Sequence, residues 1–258
     1  MKRPSRACPP FGVVDVSHRH RDSVAEQRAA VERMFSAIAP RYDFLNRVLS
    51  AGRDRVWRRE AIRATALPPG GRLLDLCTGT GDMALEAARQ FPTATVAGVD
   101  FSAAMIDLGR RKIARARVAD RVRLCVAPAE ALPFGDGVFD AVTVAFGLRN
   151  VPERRQALAE IRRVLTPAGR AVILEFTTPS RRWFRRVYLW YFHRILPAIG
   201  GFISGHPSAY RYLPASVRDF PPPEELAAWM TEAGFHDVSY RFLTAGIAAI
   251  HVGNKGGR

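Results

Sequence analysis

The chain of 258 residues carries 39 basic and 24 acidic side chains, a formal charge of +15, and is 48% hydrophobic and 24% charged. That length is enough for one large domain with a buried core, and the composition excludes global disorder, collagen and long coiled coil. Only three of the 39 basic residues are lysine (Lys2, Lys112 and Lys255), so the positive excess is almost wholly arginine and favours anionic partners. Cys8, Cys77 and Cys125 lie far apart without a CxxC pair, which argues against a disulfide framework or a cysteine-rich zinc site. A reducing cytoplasm fits this usage, and no metal is expected. The basic N-terminus lacks an apolar core of signal-peptide length, and no stretch approaches the roughly 20 apolar residues that span a bilayer.

In chain order, residues 1–22 are rich in Pro, Arg and His without periodicity and read as a flexible leader; 23–258 read as one domain. Val31, Met34, Phe35 and Ile38 recur at helical spacing up to Pro40, and a second helical patch runs from Tyr42 to Ile62. Residues 23–67 are therefore expected to form a helical cap. After Pro68-Pro69-Gly70-Gly71 the texture changes. Strands are predicted over 73–77, 95–100, 122–126, 138–146 and 171–176, with helices over 82–91, 102–116 and 153–165. An aromatic and basic insertion at 177–222 interrupts the rhythm and reads as a lid. A helix opening at Pro221-Pro222-Pro223 and strands over 236–243 and 246–253 close the chain. This alternation predicts an α/β fold: a mainly parallel, seven-stranded sheet with helices on both faces and ligands at the carboxyl ends of its strands.

Leu73-Leu74-Asp75-Leu76-Cys77-Thr78-Gly79-Thr80-Gly81-Asp82 is a strand running into a glycine turn and a helix. Gly79 and Gly81 can take positive φ and let a ligand lie against the backbone. Asp100, nineteen residues after Gly81 and ending the next strand, can accept hydrogen bonds from both hydroxyls of a ribose. Gly79-x-Gly81-x-x-Ala84 also satisfies a dinucleotide fingerprint, so a nicotinamide or flavin enzyme is the competing reading. Acids in the first strand and the turn, Asp75 and Asp82, suit an ammonium group, and Ala127 to Phe134 form a turn able to meet adenine. In this order these features resemble the class I S-adenosylmethionine-dependent methyltransferase domain, a Rossmann-like fold.

Beyond that half, Tyr42-Asp43-x-x-Asn46-x-x-Leu49-Ser50-x-Gly52, Phe146-Gly147-Leu148-Arg149-Asn150-Val151, Arg163-Val164-Leu165-x-Pro167-x-Gly169 and Tyr210-Arg211-Tyr212-Leu213 are present. With the tail Leu243-Thr244-x-Gly246-Ile247-Ala248-x-x-His251, they resemble the ubiquinone/menaquinone biosynthesis C-methyltransferases (the UbiE/MenG family) over roughly residues 30–253. The resemblance implies S-adenosylmethionine as co-substrate and a polyprenylated quinol as acceptor, methylated on a ring carbon. It implies donor contacts at Thr80, Asp100, Pro128, Ala129 and Ala145. The family often has Asn at the position of Pro128 and Ser at that of Ala145. Proline lacks an N–H and alanine a hydroxyl, so those two contacts would run through carbonyls or packing. The family often has His where Asp54 stands.

Methylation at carbon needs a quinol whose hydroxyl has given up or shares its proton, and a site that aligns the reactants, excludes water and stabilises phenolate character. Arg149 is the candidate for that last task, Asn150 for orienting the hydroxyl or a water, and Tyr42 for a place over the pocket. A structural ion pair is the plain alternative for Arg149, and a core aromatic position for Tyr42. His206 offers an imidazole base, although beside Pro207 it reads more simply as a loop residue. Phe184, Val187, Tyr188, Tyr191 and Ile195 form an apolar helical stripe, and Trp190 with the nearby arginines suits transient contact with anionic lipid. The enzyme is then cytoplasmic, peripheral at the inner face of the membrane; its oligomeric state is open, a homodimer among the options. A nucleic-acid methyltransferase is disfavoured, since the strand-four end lacks an Asn/Asp-Pro-Pro-aromatic motif and no cysteine follows a proline in the required order. A small-molecule O-methyltransferase is the remaining enzyme alternative.

Overall fold

The computed structural model describes residues 50–179 and 215–256 continuously, together with residues 31–34, Ser36, Ala39, Asp43, Phe44, Arg47, Trp183, Arg186 and Trp190. The leader at 1–22, most of the first predicted helix, Tyr42, His206 and the apolar lid stripe lie outside the described residues.

Helix α1 (Arg53–Ala64) starts after Gly52, whose φ of 74° turns the chain, and buries Trp57, Ala61 and Ile62. Then follow β1 (Arg72–Leu76), α2 (Asp82–Gln90), β2 (Thr95–Asp100), α3 (Ala103–Arg115), β3 (Val122–Val126) and β4 (Phe139–Ala145). A 3-10 turn at Leu148–Asn150 leads to α4 (Arg154–Val164) and β5 (Leu165–Phe176). The chain ends with α5 (Pro223–Glu232), β6 (His236–Leu243), a second 3-10 turn and β7 (Ala248–Asn254).

The seven strands are ordered β3-β2-β1-β4-β5-β7-β6. The first five pair in parallel, while β7 runs antiparallel to both β5 and β6. The central strands are apolar on both faces because both are covered. On β1, Leu74 and Leu76 join Leu158 and Ile161 of α4 and Leu226 of α5 in one core. Leu73 joins Trp57 and Ile62 of α1 and Met83 and Ala84 of α2 in the other.

Two local features depart from the sequence reading. Strand β5 begins at Leu165, six residues before the expected start: Leu165 already pairs with Phe139, and regular register resumes at Arg170 opposite Ala141. The residues between bulge out, where Pro167 has no N–H to give the ladder. Cys125, buried on β3, is disulfide-bonded, which cysteine spacing did not anticipate; Cys77 is free.

Candidate active site

Sequence order reverses across β1 and β4, and a parallel sheet opens a crevice at such a point beyond its strand ends. A cleft of about 660 Å³ lies there, with Cys77, Gly79, Asp100, Ala129, Ala145 and Asn150 among its walls. Two non-glycine residues that end adjacent strands hold left-handed backbone, Cys77 and Phe146, each with φ 56°. Such conformations cost about 1 kcal/mol or more and need support from their surroundings. The Thr78 N–H donates to the Val99 carbonyl at 2.9 Å, and the Phe146 N–H to that of Leu174 at 2.8 Å. The two loops also touch: a Cβ on Gly147 would lie 2.2 Å from the Cβ of Cys77.

Asp100 ties the end of β2 to the glycine turn. Its Oδ2 accepts from the Gly79 N–H at 2.9 Å and its Oδ1 from the Ser102 N–H at 2.9 Å. Each oxygen keeps a further lone pair for an incoming hydroxyl. Burial pushes this carboxyl up to about 6, partly countered by those backbone donors.

A second chamber of about 300 Å³ shares Cys77, Gly79 and Ala145 with the cleft and is lined further by Arg58, Asp75, Thr78, Thr80, Asp82 and Met83. Asp75 is 1% exposed and accepts from the hydroxyls of Thr78 and Thr143, the latter at 3.1 Å. Burial raises its pKa to about 7, against the lowering effect of those bonds and of Arg58. Asp82 goes the other way: burial would raise it, but Arg58 and Lys112 together outweigh that and hold it below the usual carboxylate range. Lys112 ion-pairs with Asp82 and, at 2.6 Å, with Asp43, and it donates to Thr80 Oγ1 at 3.0 Å. The Thr80 hydroxyl in turn donates to Asp43 at 2.5 Å.

The structure therefore brings Asp75, Gly79, Thr80, Asp100, Ala129 and Ala145 to two adjoining cavities. Gly81, with φ 82°, caps α2 just behind them, and Pro128 turns its carbonyl to the Ala131 N–H at 3.3 Å. Asn150 lines the cleft. Arg149 points elsewhere: Nη1 donates to Glu175 Oε2 at 3.0 Å and to the Phe146 carbonyl, and the guanidinium lies over the Phe176 ring at 5.5 Å. Sequence reasoning passed over Arg58 and Glu130, both in the cavity walls. Glu130 stands inside the turn assigned to adenine; nothing in the local pattern marks Arg58 among its neighbouring arginines.

The ubiE/COQ5 methyltransferase family model matches residues 21–255. This chain belongs to that family. The ubiquinone/menaquinone biosynthesis C-methyltransferase UbiE of Geobacter sulfurreducens is 54% identical over 234 residues, covering 90% of this chain and 91% of its own. The demethylmenaquinone methyltransferase of Thermus thermophilus is 54% identical over 222 residues, covering 86% of this chain and 100% of its own. A SAM-dependent methyltransferase from Aquifex aeolicus shares the fold at TM-score 0.56 and 17% identity, covering 82% of this chain and 96% of its own. For this ubiE/COQ5-family methyltransferase S-adenosylmethionine is the co-substrate, and the cavity suits it. Glycine backbone and the doubly anchored Asp100 line the cleft, and acids and a guanidinium line the adjoining chamber. Among the described residues no cluster suited to a metal ion occurs.

Proposed function

We propose that this enzyme transfers the methyl group of S-adenosylmethionine to a ring carbon of a prenylated quinol, with demethylmenaquinol the first acceptor to test. Support comes from the near full-length identity to the two named C-methyltransferases, together with a cleft that places Asn150 beside the donor cavity. The donor supplies a methyl group made electrophilic by its sulfonium. The quinol ring carbon becomes nucleophilic as the adjacent hydroxyl loses its proton; the new carbon–carbon bond forms as the sulfur–methyl bond breaks. Loss of the ring proton then restores aromaticity.

In this reading Asp100 holds the ribose hydroxyls, and the backbone from Ala127 to Glu130 borders the base. Asn150 orients the reacting hydroxyl. Arg149 acts from behind it, fixing the loop that carries Asn150 through Glu175 and the Phe146 carbonyl. Tyr42, outside the described residues, is assigned to the acceptor on the family motif alone. The apolar walls, among them Val31, Met105, Phe146 and Val151, exclude water from the reacting atoms. The test is methyl transfer from labelled donor to chemically reduced demethylmenaquinol in detergent, with the oxidised quinone and a reduced methoxy-benzoquinol in parallel. Label on a ring carbon, dependent on the reduced form, is the expected result. Label on oxygen would establish the O-methyltransferase alternative instead.

A peripheral membrane position accords with a substrate whose tail resides in lipid. Trp183 and Trp190 are helical and 67% and 60% exposed, and Arg186 between them in the sequence is exposed too, residue types that suit an anionic lipid surface. No helix among the described residues is long and apolar enough to cross a membrane. Co-sedimentation with anionic vesicles at low salt should capture the enzyme and release it as salt rises; absence of capture at low salt refutes the surface role.

A further inference from the structure

The chamber beside the ribose site carries charges of both signs. Asp75 and Asp82 line it from the β1–α2 turn, and Arg58 enters from α1, an element separate from the sheet and its crossover helices. The state of Arg58 is unusual for a buried cation. Its side chain is 11% exposed, yet its nearest carboxylate, Asp54, stands 3.9 Å from Nε, and Nε is buried without a hydrogen-bond partner. Asp54 is itself engaged by the Ser50 hydroxyl at 2.8 Å. The Arg58 guanidinium rests over the Phe146 ring at 5.5 Å, a contact that fixes its plane and leaves its donors unspent. A buried guanidinium with idle donors calls for a planar anion, which it can bind through two parallel bonds.

We propose that Arg58 binds the α-carboxylate of the methyl donor's amino-acid tail, opposite Asp75 and Asp82, which face the α-ammonium. The chamber then matches a zwitterion: acids on the glycine-turn side, one guanidinium on the cap side. Arg58 also lowers the pKa of both acids, as a cation sharing their chamber must. Lys112 does not fill the role, because it lies behind Asp82 and is already paired with Asp82 and Asp43. The inference rests on S-adenosylmethionine being the donor and is independent of the acceptor.

Calorimetric titration of the full chain tests it without turnover. The probes are S-adenosylhomocysteine, 5′-methylthioadenosine (no amino-acid tail), S-adenosylmethionine and its decarboxylated form. The wild type should bind S-adenosylmethionine about tenfold to a hundredfold more tightly than the decarboxylated form, as loss of a charge-assisted bidentate contact implies. Arg58→Met should weaken S-adenosylhomocysteine by a similar factor, leave 5′-methylthioadenosine unchanged and abolish discrimination against the decarboxylated donor. Arg58→Lys should recover part of the loss. Equal weakening of 5′-methylthioadenosine would reduce Arg58 to a structural role. A wild type indifferent to the carboxylate overturns the proposal even if Arg58→Met fails to fold. Failure to bind any adenosyl compound would overturn the donor assignment itself, and this inference with it.

Discussion

Replacing Arg149 separates a group that meets the substrate from one that holds the loop beneath it. The guanidinium and the Glu175 carboxylate are 6% and 1% exposed and 3.0 Å apart, so neither charge has water to fall back on. Breaking a buried pair from one side costs about 3–5 kcal/mol. Here Glu175 also accepts from the Arg149 and Phe176 backbone N–H groups, each at 3.2 Å, which would partly hold it after the guanidinium is gone. Arg149→Met should therefore cost about 3 kcal/mol, the low end of that range, and lower Tm by roughly 6–12 °C. Glu175→Gln should cost about 2–3 kcal/mol, because the Phe146 carbonyl and the Phe176 ring remain as partners. The double variant buries neither charge and should recover at least about 2 kcal/mol of the summed losses. Urea unfolding of the four proteins gives the coupling, and kcat with the preferred quinol is measured on each. If either single variant unfolds at the wild-type midpoint, or the double shows no recovery, the ion pair does not support the loop. If the double recovers stability but its kcat stays as low as that of Arg149→Met, the guanidinium acts on the acceptor directly.

Two further outcomes follow from the geometry. Burial holds Asp100 at about 6 against an ordinary value of 3.8, so its ionised form opposes folding above that pH and the penalty fades as pH falls toward 3.8. Donor binding has the opposite sign, since only the ionised carboxylate accepts from two hydroxyls: affinity should be flat above about pH 7 and fall about tenfold per unit below 6, read by calorimetry. An affinity unchanged down to about pH 5 would remove Asp100 from the ribose site. Gly147→Ala places a Cβ 2.2 Å from that of Cys77 and should cost about 2 kcal/mol; Cys77→Gly, which also relieves the φ of 56°, should rescue it in the double variant. Thermal unfolding that shows no rescue would mean the two loops do not press on one another.

The strand–helix alternation was legible because each element carries its own period. Leu73, Leu74 and Leu76 on β1 and Val96 to Val99 on β2 are buried on both faces, as the strands of a covered parallel sheet must be. Gly79, Gly81 and Asp100 were legible because close backbone approach and a strand-end acid leave local marks. The early start of β5 was not, since Pro167 and Gly169 read as a turn and the pairing of Leu165 with Phe139 is a long-range contact. Arg149 shows the same limit at the site. Its position after β4 was foreseen, but the direction of its guanidinium depends on Glu175, twenty-six residues further on. Arg58 was hidden for a different reason. In a chain with so many arginines, composition does not mark the one that lines the charged chamber; its place there, beside Asp75 and Asp82 and without a hydrogen-bond partner at Nε, does.

Asp43 and α1 touch the glycine turn from two directions, and this links donor binding to the seating of α1. On one side Trp57 docks α1 into an aromatic cluster with Phe146 and Phe176, at centroid distances of 6.0 and 6.1 Å, and its indole donates to Thr244 Oγ1 at 2.8 Å. The next residue, Arg58, thereby reaches the charged chamber. On the other side Asp43 is held by Thr80 and Lys112, both packed against the same turn. A ligand that engages Arg58 and the turn together adds a further tie between α1 and that turn, so it should stiffen the seating of α1 as it binds. Asp43 and Arg58 both meet the donor's turn, whereas Asn150 stands on the β4 side of the cleft, so this stiffening should appear with the donor alone and should not need the acceptor.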